Sequence, residues 1–206
     1  MAELRSFIFI DQLQPQTLCY ISSWMRGSLP RRNMAAQIIE IAPGLDIEAL
    51  TDIAIKESDV RAGILVVERQ FGYLEIHSHS TAKVKSSAEA VIQSLGAHAE
   101  DATRPSMPTK RMRTDFITRI DNQHAFLINR NKLGSMILGG ESLYLLECQP
   151  ASYALIACNE AEKQANVKVV DVRMIGANGR LYLSGTEAEI RNAREAAEGA
   201  LRKLGA

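Results

Sequence analysis

Short apolar segments, separated by polar stretches rich in glycine and proline, recur along the whole chain. Their length and their content of β-branched residues are typical of β-strands rather than of helices. Each half of the chain holds four such segments, with an irregular stretch after the first. The eight predicted strands are residues 6–10, 38–41, 64–68 and 73–77, then 115–120, 143–147, 167–172 and 181–184.

Apolar residues at helical spacing follow the second and the fourth strand of each half. Asp46 and Ser152 precede the first of these helices and are predicted to cap it, because short polar side chains accept hydrogen bonds from free N–H groups. Thr186 and Glu189 form a predicted capping box before the last helix. The predicted order is ββαββα in each half, an antiparallel sheet with helices on one face, which is an α+β fold.

The two halves of the chain repeat one another. Pro43 and Pro150 are 107 positions apart (150 − 43). The same offset relates further pairs without a gap: Lys56 and Lys163, Val60 and Val167, Gly72 and Gly179. Such agreement over a long ungapped stretch predicts two homologous domains, residues 1–103 and 108–206. Residues 97–111 contain two prolines and several polar residues, and are predicted to be a linker.

Composition excludes several classes of function. The 206 residues carry 24 Lys and Arg against 24 Asp and Glu, so the formal net charge is zero. A chain without a basic field is not expected to bind nucleic acid, whereas low repulsion between copies permits self-association. No apolar run approaches the ~20 residues that span a bilayer, so no membrane segment is predicted. Three cysteines without a CxxC pair predict no disulfide framework, as in a reducing cytoplasm.

Catalytic and cofactor-binding motifs are not evident in the sequence. His77 and His79 share one strand face and could ligate a metal, but no third ligand lies nearby in the sequence. Solvated or locally hydrogen-bonded histidines are therefore the favoured interpretation. The chain has no GxGxxG or Walker motif, and no spacing indicates a Ser–His–Asp or Cys–His arrangement. We predict no enzymatic activity, no cofactor and no metal site.

Two segments at the repeat offset resemble the signature of bacterial microcompartment (BMC) shell domains. They are DIAIKESDV at 52–60 and NEAEKQANV at 159–167, each a helix end with a lysine and then the valine that opens a strand. ANVKVVDVRMIGANGRLYLSGTEAEI at 165–190 resembles the same family through strand, glycine turn, strand and capped helix. In ordinary members the first strand of each half comes last. The resemblance therefore implies two tandem, circularly permuted BMC domains with a ferredoxin-like architecture.

Three longer segments resemble one subgroup of this family. ELRSFIFIDQLQPQ at 3–16, TDIAIKESDVRAGILVVERQFG at 51–72 and LINRNKLGSMILGGESLYLLECQPASYALIACNEAEK at 127–163 resemble the tandem-domain, permuted trimeric shell proteins of the carboxysome type. The resemblance implies a homotrimer that forms a flat pseudohexagonal tile in a microcompartment shell in the cytoplasm. Such tiles assemble with other shell proteins, and two trimers can stack face to face. A gated pore on the threefold axis would pass small anionic metabolites.

The resemblance also implies which residues serve the pore and the tile edge. The turns that face the axis would be Glu68, Arg69, Gln70, Phe71 and Gly72, and in the second half Ile175, Gly176, Ala177, Asn178 and Gly179. Glu68 and Arg69 would form the gate, because three copies of each would meet around one axis. Gly72 and Gly179 are expected to permit the tight turns. Lys56 and Lys163 would contact the neighbouring tile.

One segment departs from the carboxysomal pattern. WMRGSLPRRNMA at 24–35 carries Arg26, Arg31 and Arg32 in place of an expected Pro-Gly-Asp stretch. A shell around another metabolic microcompartment is therefore at least as well supported as a carboxysome. Two other hypotheses stay open: a soluble regulatory protein that binds a small molecule with two ferredoxin-like domains, and an enzyme. Lateral assembly into sheets distinguishes the shell protein from both.

Overall fold

A computed structural model describes residues 2–96, 111–131 and 134–204 of the chain, apart from the side chains of Arg111 and Asn131. Contacts divide the chain into two compact units, Met1–Pro108 and Thr109–Ala206, which we call the N-terminal and C-terminal halves. Most of the predicted linker, residues 97–110, lies outside the described residues.

The N-terminal half is a four-stranded antiparallel sheet with three α-helices. Apolar and β-branched residues fill the strands, as their β-propensity favours. The strand order is β1-β2-β4-β3. The elements are β1 Glu3–Ile10, α1 Pro15–Trp24, β2 Ala35–Ala42, α2 Ile47–Glu57, β3 Arg61–Glu68, β4 Phe71–Ser78 and α3 Thr81–Ser94.

Helices α2 and α3 cover one face of this sheet. Ile39 of β2 and Leu74 of β4 are paired across the strands and lie in one core cluster with Leu50 of α2 and Val91 of α3. The opposite face carries the alternate residues of the same strands, among them Ile38, and it is also buried. Alternation along a strand sends successive side chains to opposite faces, so a sheet buried on both sides has few exposed positions.

The C-terminal half has the same architecture. The strand order is β5-β6-β8-β7, and all neighbouring strands are antiparallel. The elements are β5 Arg111–Ile117, α4 Asn122–Asn131, β6 Ser142–Gln149, α5 Tyr153–Gln164, β7 Lys168–Arg173, β8 Gly179–Gly185 and α6 Glu187–Lys203. Two such α+β units in tandem confirm the predicted fold class.

Helices α1 and α4 lie where the sequence predicted irregular structure. Both are only 10 residues long. In α1 the buried side chains are Thr17 and Ile21, β-branched residues that are weak helix formers. The one clear helix signal there is Pro15 at the first turn, because proline is favoured at that position. Strand β5 also begins and ends earlier than the predicted 115–120.

The repeat offset of 107 also holds for these missed elements. Helix α1 lies 107 positions before α4, and a connecting strap follows each helix, residues 25–34 and 134–141. The Ser28 N–H donates to the Ala62 carbonyl at 3.0 Å, and the equivalent Ser135 N–H donates to the Val169 carbonyl at 3.0 Å. Both straps therefore lie along the outer edge of an edge strand, β3 or β7.

Helix capping differs from the predictions in two places. Neither Asp46 nor Ser152 makes a side-chain capping hydrogen bond, and the Asp46 carboxylate instead accepts from the Ala2 N–H at 3.1 Å. Thr186 caps α6 as predicted, since its hydroxyl accepts from the Glu189 N–H. The Glu189 carboxylate accepts from the Asn166 N–H at 3.0 Å, which ties the start of β7 to the last helix.

Candidate functional site

The turn between β3 and β4 carries the two predicted gate residues. Glu68 pairs with Phe71 across the hairpin, so Arg69 and Gln70 form a two-residue turn between them. Arg69 has a φ of 55°, in the left-handed region, and its side chain is 91% exposed. Its Nε lies 3.8 Å from the Glu68 carboxylate. An exposed ion pair at this distance contributes little to stability, so the Arg69 side chain is free to move.

A half-buried arginine and a buried glutamate fix the base of this turn. The Arg5 guanidinium stacks on the Phe71 ring, 4.0 Å from its centre, and the Arg5 Nε donates to the Glu40 carboxylate at 2.8 Å. Glu40 is fully buried. A stacked, ion-paired guanidinium holds Phe71 in place. The arrangement combines a rigid hairpin base with an exposed charged tip.

Gly72 and Gly179 do not form the turns, contrary to the prediction. Gly72 lies inside strand β4, where it pairs with Ile41 and Val67. Gly179 is the first residue of β8 and pairs with Cys148 of β6. Their small size permits a close approach of the backbone of Gly44 and Ala151, respectively.

The corresponding turn in the C-terminal half is longer and carries no charge. It joins Arg173 to Gly179 through residues 174–178, of which Gly176 has a φ of 120°. Met174 is buried, Ile175, Gly176 and Asn178 are half-buried, and Ala177 is exposed. Only the N-terminal half therefore presents a Glu–Arg pair at this position.

Lys56 and Lys163 lie at equivalent positions near the ends of α2 and α5. Lys56 pairs with Asp52 one turn earlier, and its side chain is 72% exposed. Lys163 pairs with Glu160 at 2.9 Å and is 25% exposed, at the edge of a groove between α5 and α6. Both amines are thus held by a carboxylate of their own helix.

The remaining candidate residues are histidines and cysteines. His77 is buried, and its Nδ1 lies 3.0 Å from the Glu75 carboxylate, whereas His79 is exposed. Cys148 and Cys158 are buried. Among the described residues, no three His, Cys, Asp or Glu side chains cluster as metal ligands would. In the same part of the chain, no helix is both long and apolar enough to cross a bilayer.

Sequence reasoning missed the buried charges of the N-terminal sheet. Arg5, Glu40 and Glu75 lie in the strands β1, β2 and β4, whose other residues are mostly apolar. A charge inside an apolar strand is a usable signal, because a buried charge needs a partner.

Comparison with known proteins agrees with this architecture. Residues 4–101 match the family model described as the CsoS1D N-terminal domain, and residues 142–206 match the BMC domain. The carboxysome shell protein CsoS1D of Prochlorococcus marinus subsp. pastoris is 42% identical over 196 residues, which are 95% of this chain and 75% of that protein.

Two solved structures are similar over their full length. The fused permuted hexameric shell protein MSM0275 from the RMM microcompartment is 62% identical, with a TM-score of 0.91 over 99% of both chains. The double-ringed trimeric shell protein MSM0271 from the same microcompartment is 41% identical, with a TM-score of 0.89 over 100% of this chain and 98% of that one.

These relatives are structural shell proteins, so they favour neither the regulatory nor the enzymatic hypothesis. The fold, the repeat and nearly complete coverage at 41–62% identity all agree. The chain belongs to the bacterial microcompartment shell proteins, as a tandem-domain, circularly permuted member with a structural role in the shell.

Proposed function

We propose that three copies of this chain form a pseudohexagonal shell tile with a gated axial pore for small anionic metabolites. The observation that carries the proposal is the ungapped repeat of one fold in both halves, since three two-domain chains then supply six equivalent units. The similarity to MSM0275, titled a fused permuted hexameric shell protein, supports the same arrangement. Most soluble oligomers of identical copies close with point-group symmetry, as this tile would.

Glu68 and Arg69 are the proposed gate. Three exposed guanidinium groups on one axis repel each other unless they pair with carboxylates or turn away. The weak pair between the two side chains and the mobile tip support two positions, one in which Arg69 closes the axis and one in which it swings out. In either position the rim of the pore carries the guanidinium groups of Arg69, which recognise carboxylate or phosphate.

The relatives support two more specific proposals, one on the type of microcompartment and one on the stacking of trimers. We propose a shell of the RMM type rather than a carboxysome, because MSM0275 is 62% identical whereas the carboxysomal CsoS1D is 42% identical. The altered segment 24–35 supports the same choice. Stacking of two trimers is proposed only by analogy with MSM0271, titled double-ringed and trimeric.

Arg69→Ala is expected to leave the trimer intact and to reduce the preference of the pore for anions. A charge-assisted hydrogen bond contributes about 1.5–3 kcal/mol, so its loss at the rim corresponds to a change of about tenfold or more in that preference. The measurement is entry of an anionic and a neutral tracer of equal size into assembled shells, with native mass spectrometry of the tile. The ratio of anion entry to neutral-tracer entry should fall.

Arg69→Lys is the matched control, because it keeps the charge but loses the planar fork. Its ratio of anion entry to neutral-tracer entry should lie between those of the alanine variant and the unchanged protein. If Arg69→Ala abolished the trimer, or left this ratio unchanged, the gate assignment would lose its basis.

Replacing Lys56 and Lys163 together by alanine is expected to abolish sheets but not trimers. A long apolar stem and an amine can lie along a neighbouring tile, and three chains would supply six such contacts per tile. Electron microscopy detects the sheets, and native mass spectrometry detects the trimer. Lys83→Ala is the control, since Lys83 is also an exposed helical lysine that is paired with a carboxylate, Asp59 at 2.9 Å. Sheets that survive the double change would contradict the edge assignment.

A further inference from the structure

A β-bulge in strand β1 directs the Arg5 side chain toward the base of the β3–β4 turn. The pairing of β1 with β2 shifts register between Leu4 and Ser6, which leaves Arg5 as the extra residue. An extra residue interrupts the alternation of a strand and re-aims one side chain. Leu4 therefore packs in the core beneath α2 and α3, and the guanidinium of Arg5 reaches Glu40 and Phe71.

In the C-terminal half, the equivalent glutamate pairs with an arginine from a different strand. Strand β5 pairs with β6 in one uninterrupted register, and at the offset of 107 Met112 stands where the other half has Arg5. Glu147, the equivalent of Glu40, accepts a hydrogen bond from the Arg180 Nε in β8 at 2.8 Å. A partner for this glutamate therefore requires neither a bulge nor an arginine in the first strand.

The geometry of the Arg5 guanidinium serves the contact with Phe71 at the expense of the pair with Glu40. In a bidentate pair, two N–H groups of the guanidinium fork donate to one carboxylate. Arg5 donates to Glu40 from Nε alone, and its buried Nη2 has no acceptor among the described residues. Unsatisfied buried donors are rare and destabilising. The position of the guanidinium over the Phe71 ring, 4.0 Å from its centre, accounts for this one.

Phe71 connects Arg5 to the proposed gate. It is the first residue of β4, is buried, and pairs with Glu68 across the two-residue turn that carries Arg69. The φ of 55° at Arg69 is one that residues other than glycine keep only where the surrounding structure holds them there. The contact of Arg5 with the Phe71 ring supplies such a constraint directly beside the turn.

We propose that Arg5 is a positioning residue of the gate. It clamps the Phe71 ring and thereby holds the β3–β4 turn in the backbone conformation that presents Arg69 to the pore. A guanidinium suits this task, because it stacks on an aromatic face and keeps its charge. Glu40 balances that charge, so the selection of anions stays with Arg69. This inference rests on the proposed pore, whereas the clamp itself lies within one N-terminal half.

Hydrogen exchange of the turn tests the clamp without reference to the pore. Arg5→Lys keeps a cation beside Glu40 but has no planar group to lie over the ring. Phe71→Leu removes the ring and keeps the arginine with its carboxylate. Each change is expected to raise amide exchange in peptides spanning residues 66–73 about fivefold, as the loss of a desolvated cation–π contact implies. The double variant should exchange no faster than the faster single one, because both changes remove one contact.

Arg191→Lys is the matched control for the exchange measurement. The Arg191 guanidinium also lies over a ring, that of Phe116, and pairs with Glu187, but it belongs to the C-terminal half. Its replacement should leave residues 66–73 unchanged. Unchanged exchange of the turn in both clamp variants would overturn the inference. A rise of equal size throughout the N-terminal half, α3 included, would do the same, because Arg5 would then only support the fold. If Arg5→Lys fails to fold, Phe71→Leu decides.

Tracer entry into assembled shells separates the positioning role from the proposed pore. Arg5→Lys is expected to shift the ratio of anion entry to neutral-tracer entry partway toward the value of Arg69→Ala. In an Arg69→Ala background it should change nothing further, since Arg5 acts through Arg69. A loosened turn with an unchanged ratio, where Arg69→Ala does lower the ratio, would overturn the positioning role and leave the pore standing. A ratio that Arg69→Ala does not change would overturn the proposed gate, and with it the role of Arg5 there.

Discussion

Replacing Gly72 by alanine is expected to destabilise the N-terminal half by about 3 kcal/mol, the upper end of the usual cost of overpacking. A Cβ atom at Gly72 would lie 2.4 Å from the Gly44 carbonyl oxygen and 2.8 Å from the Ile47 Cβ. Neither atom can move away cheaply. Gly44 belongs to the turn before α2, and Ile47 is fully buried in the core.

The same contact recurs in the other half, so Gly179→Ala should have a similar effect there. Its Cβ would lie 2.1 Å from the Ala151 carbonyl oxygen and 2.9 Å from the Ala154 Cβ. Gly199 offers the matched control. It lies inside α6 with nothing within 4 Å of the added carbon, so Gly199→Ala should stabilise the protein by about 1 kcal/mol through helix propensity alone.

Urea unfolding at one fixed protein concentration measures these changes, because dissociation of an oligomer shifts the apparent stability. Trp24 is the single tryptophan and lies in α1, so its fluorescence reports on the N-terminal half. Circular dichroism follows both halves together. A Gly72→Ala protein whose free energy of unfolding lies within about 0.5 kcal/mol of the unchanged chain, the range of neutral surface substitutions, would contradict the prediction.

Gly72 and Gly179 show what can be predicted from the sequence and what cannot. The matching positions of Gly72 and Gly179 are visible in the repeat, and they mark a site where a side chain is not tolerated. The reason is the approach of Gly44 or Ala151 from another segment, which only three-dimensional packing reveals. A turn was the simplest local explanation, and it was wrong.

The strands and the four longer helices were predictable because they repeat a periodic apolar pattern. Periodicity reports which residues share a face, but it does not report what covers that face. Glu75 illustrates the gap. Its position in β4 alternates with Leu74 and Ile76, which pack on the helices, so the pattern places it on a polar outer face. The Glu75 carboxylate meets Met25 and the Ser28 carbonyl of the N-terminal strap beside Gly63, and Glu75 is buried.

The candidate site was likewise predictable from the sequence only in part. The place of the β3–β4 turn, the proposed gate, follows from the strand pattern and the resemblance. The left-handed backbone of Arg69 and the Arg5–Phe71 contact beneath it do not, since Arg5 lies more than sixty positions away in the chain.

Glu75 lies in a buried hydrogen-bond network, and we expect its replacement to lower the stability of the protein strongly. Its carboxylate lies 3.0 and 3.2 Å from the Nδ1 of His77 and accepts from the Gly63 N–H. The Gly63 carbonyl in turn accepts from the N–H groups of Arg26 and Gly27, at 3.1 Å each. Glu75 therefore joins the central strand, the edge strand and the strap in one buried network.

Glu75→Ala is expected to cost about 1–3 kcal/mol for each polar group that it leaves unsatisfied, because the His77 Nδ1 and the Gly63 N–H both lose their buried partner. Glu75→Gln is the matched control. Its amide oxygen still accepts one hydrogen bond in the same space, so the loss should be much smaller. A Glu75→Ala protein as stable as the glutamine variant in urea would show that the network contributes nothing.

The dependence of stability on pH provides a sharper criterion. Burial raises the pKa of the Glu75 carboxyl above its ordinary value of 4.5, against the opposing effects of His77 and the Gly63 N–H. The folded protein thus keeps this proton to a higher pH than the unfolded chain does. Its contribution to stability is complete below pH 4.5 and declines as the pH rises through the raised pKa. The free energy of unfolding of the unchanged protein should therefore fall relative to that of Glu75→Gln across this range. A difference that stays constant, or that grows in the opposite direction, would mean that the carboxyl is not desolvated and that the strap does not seal it from water.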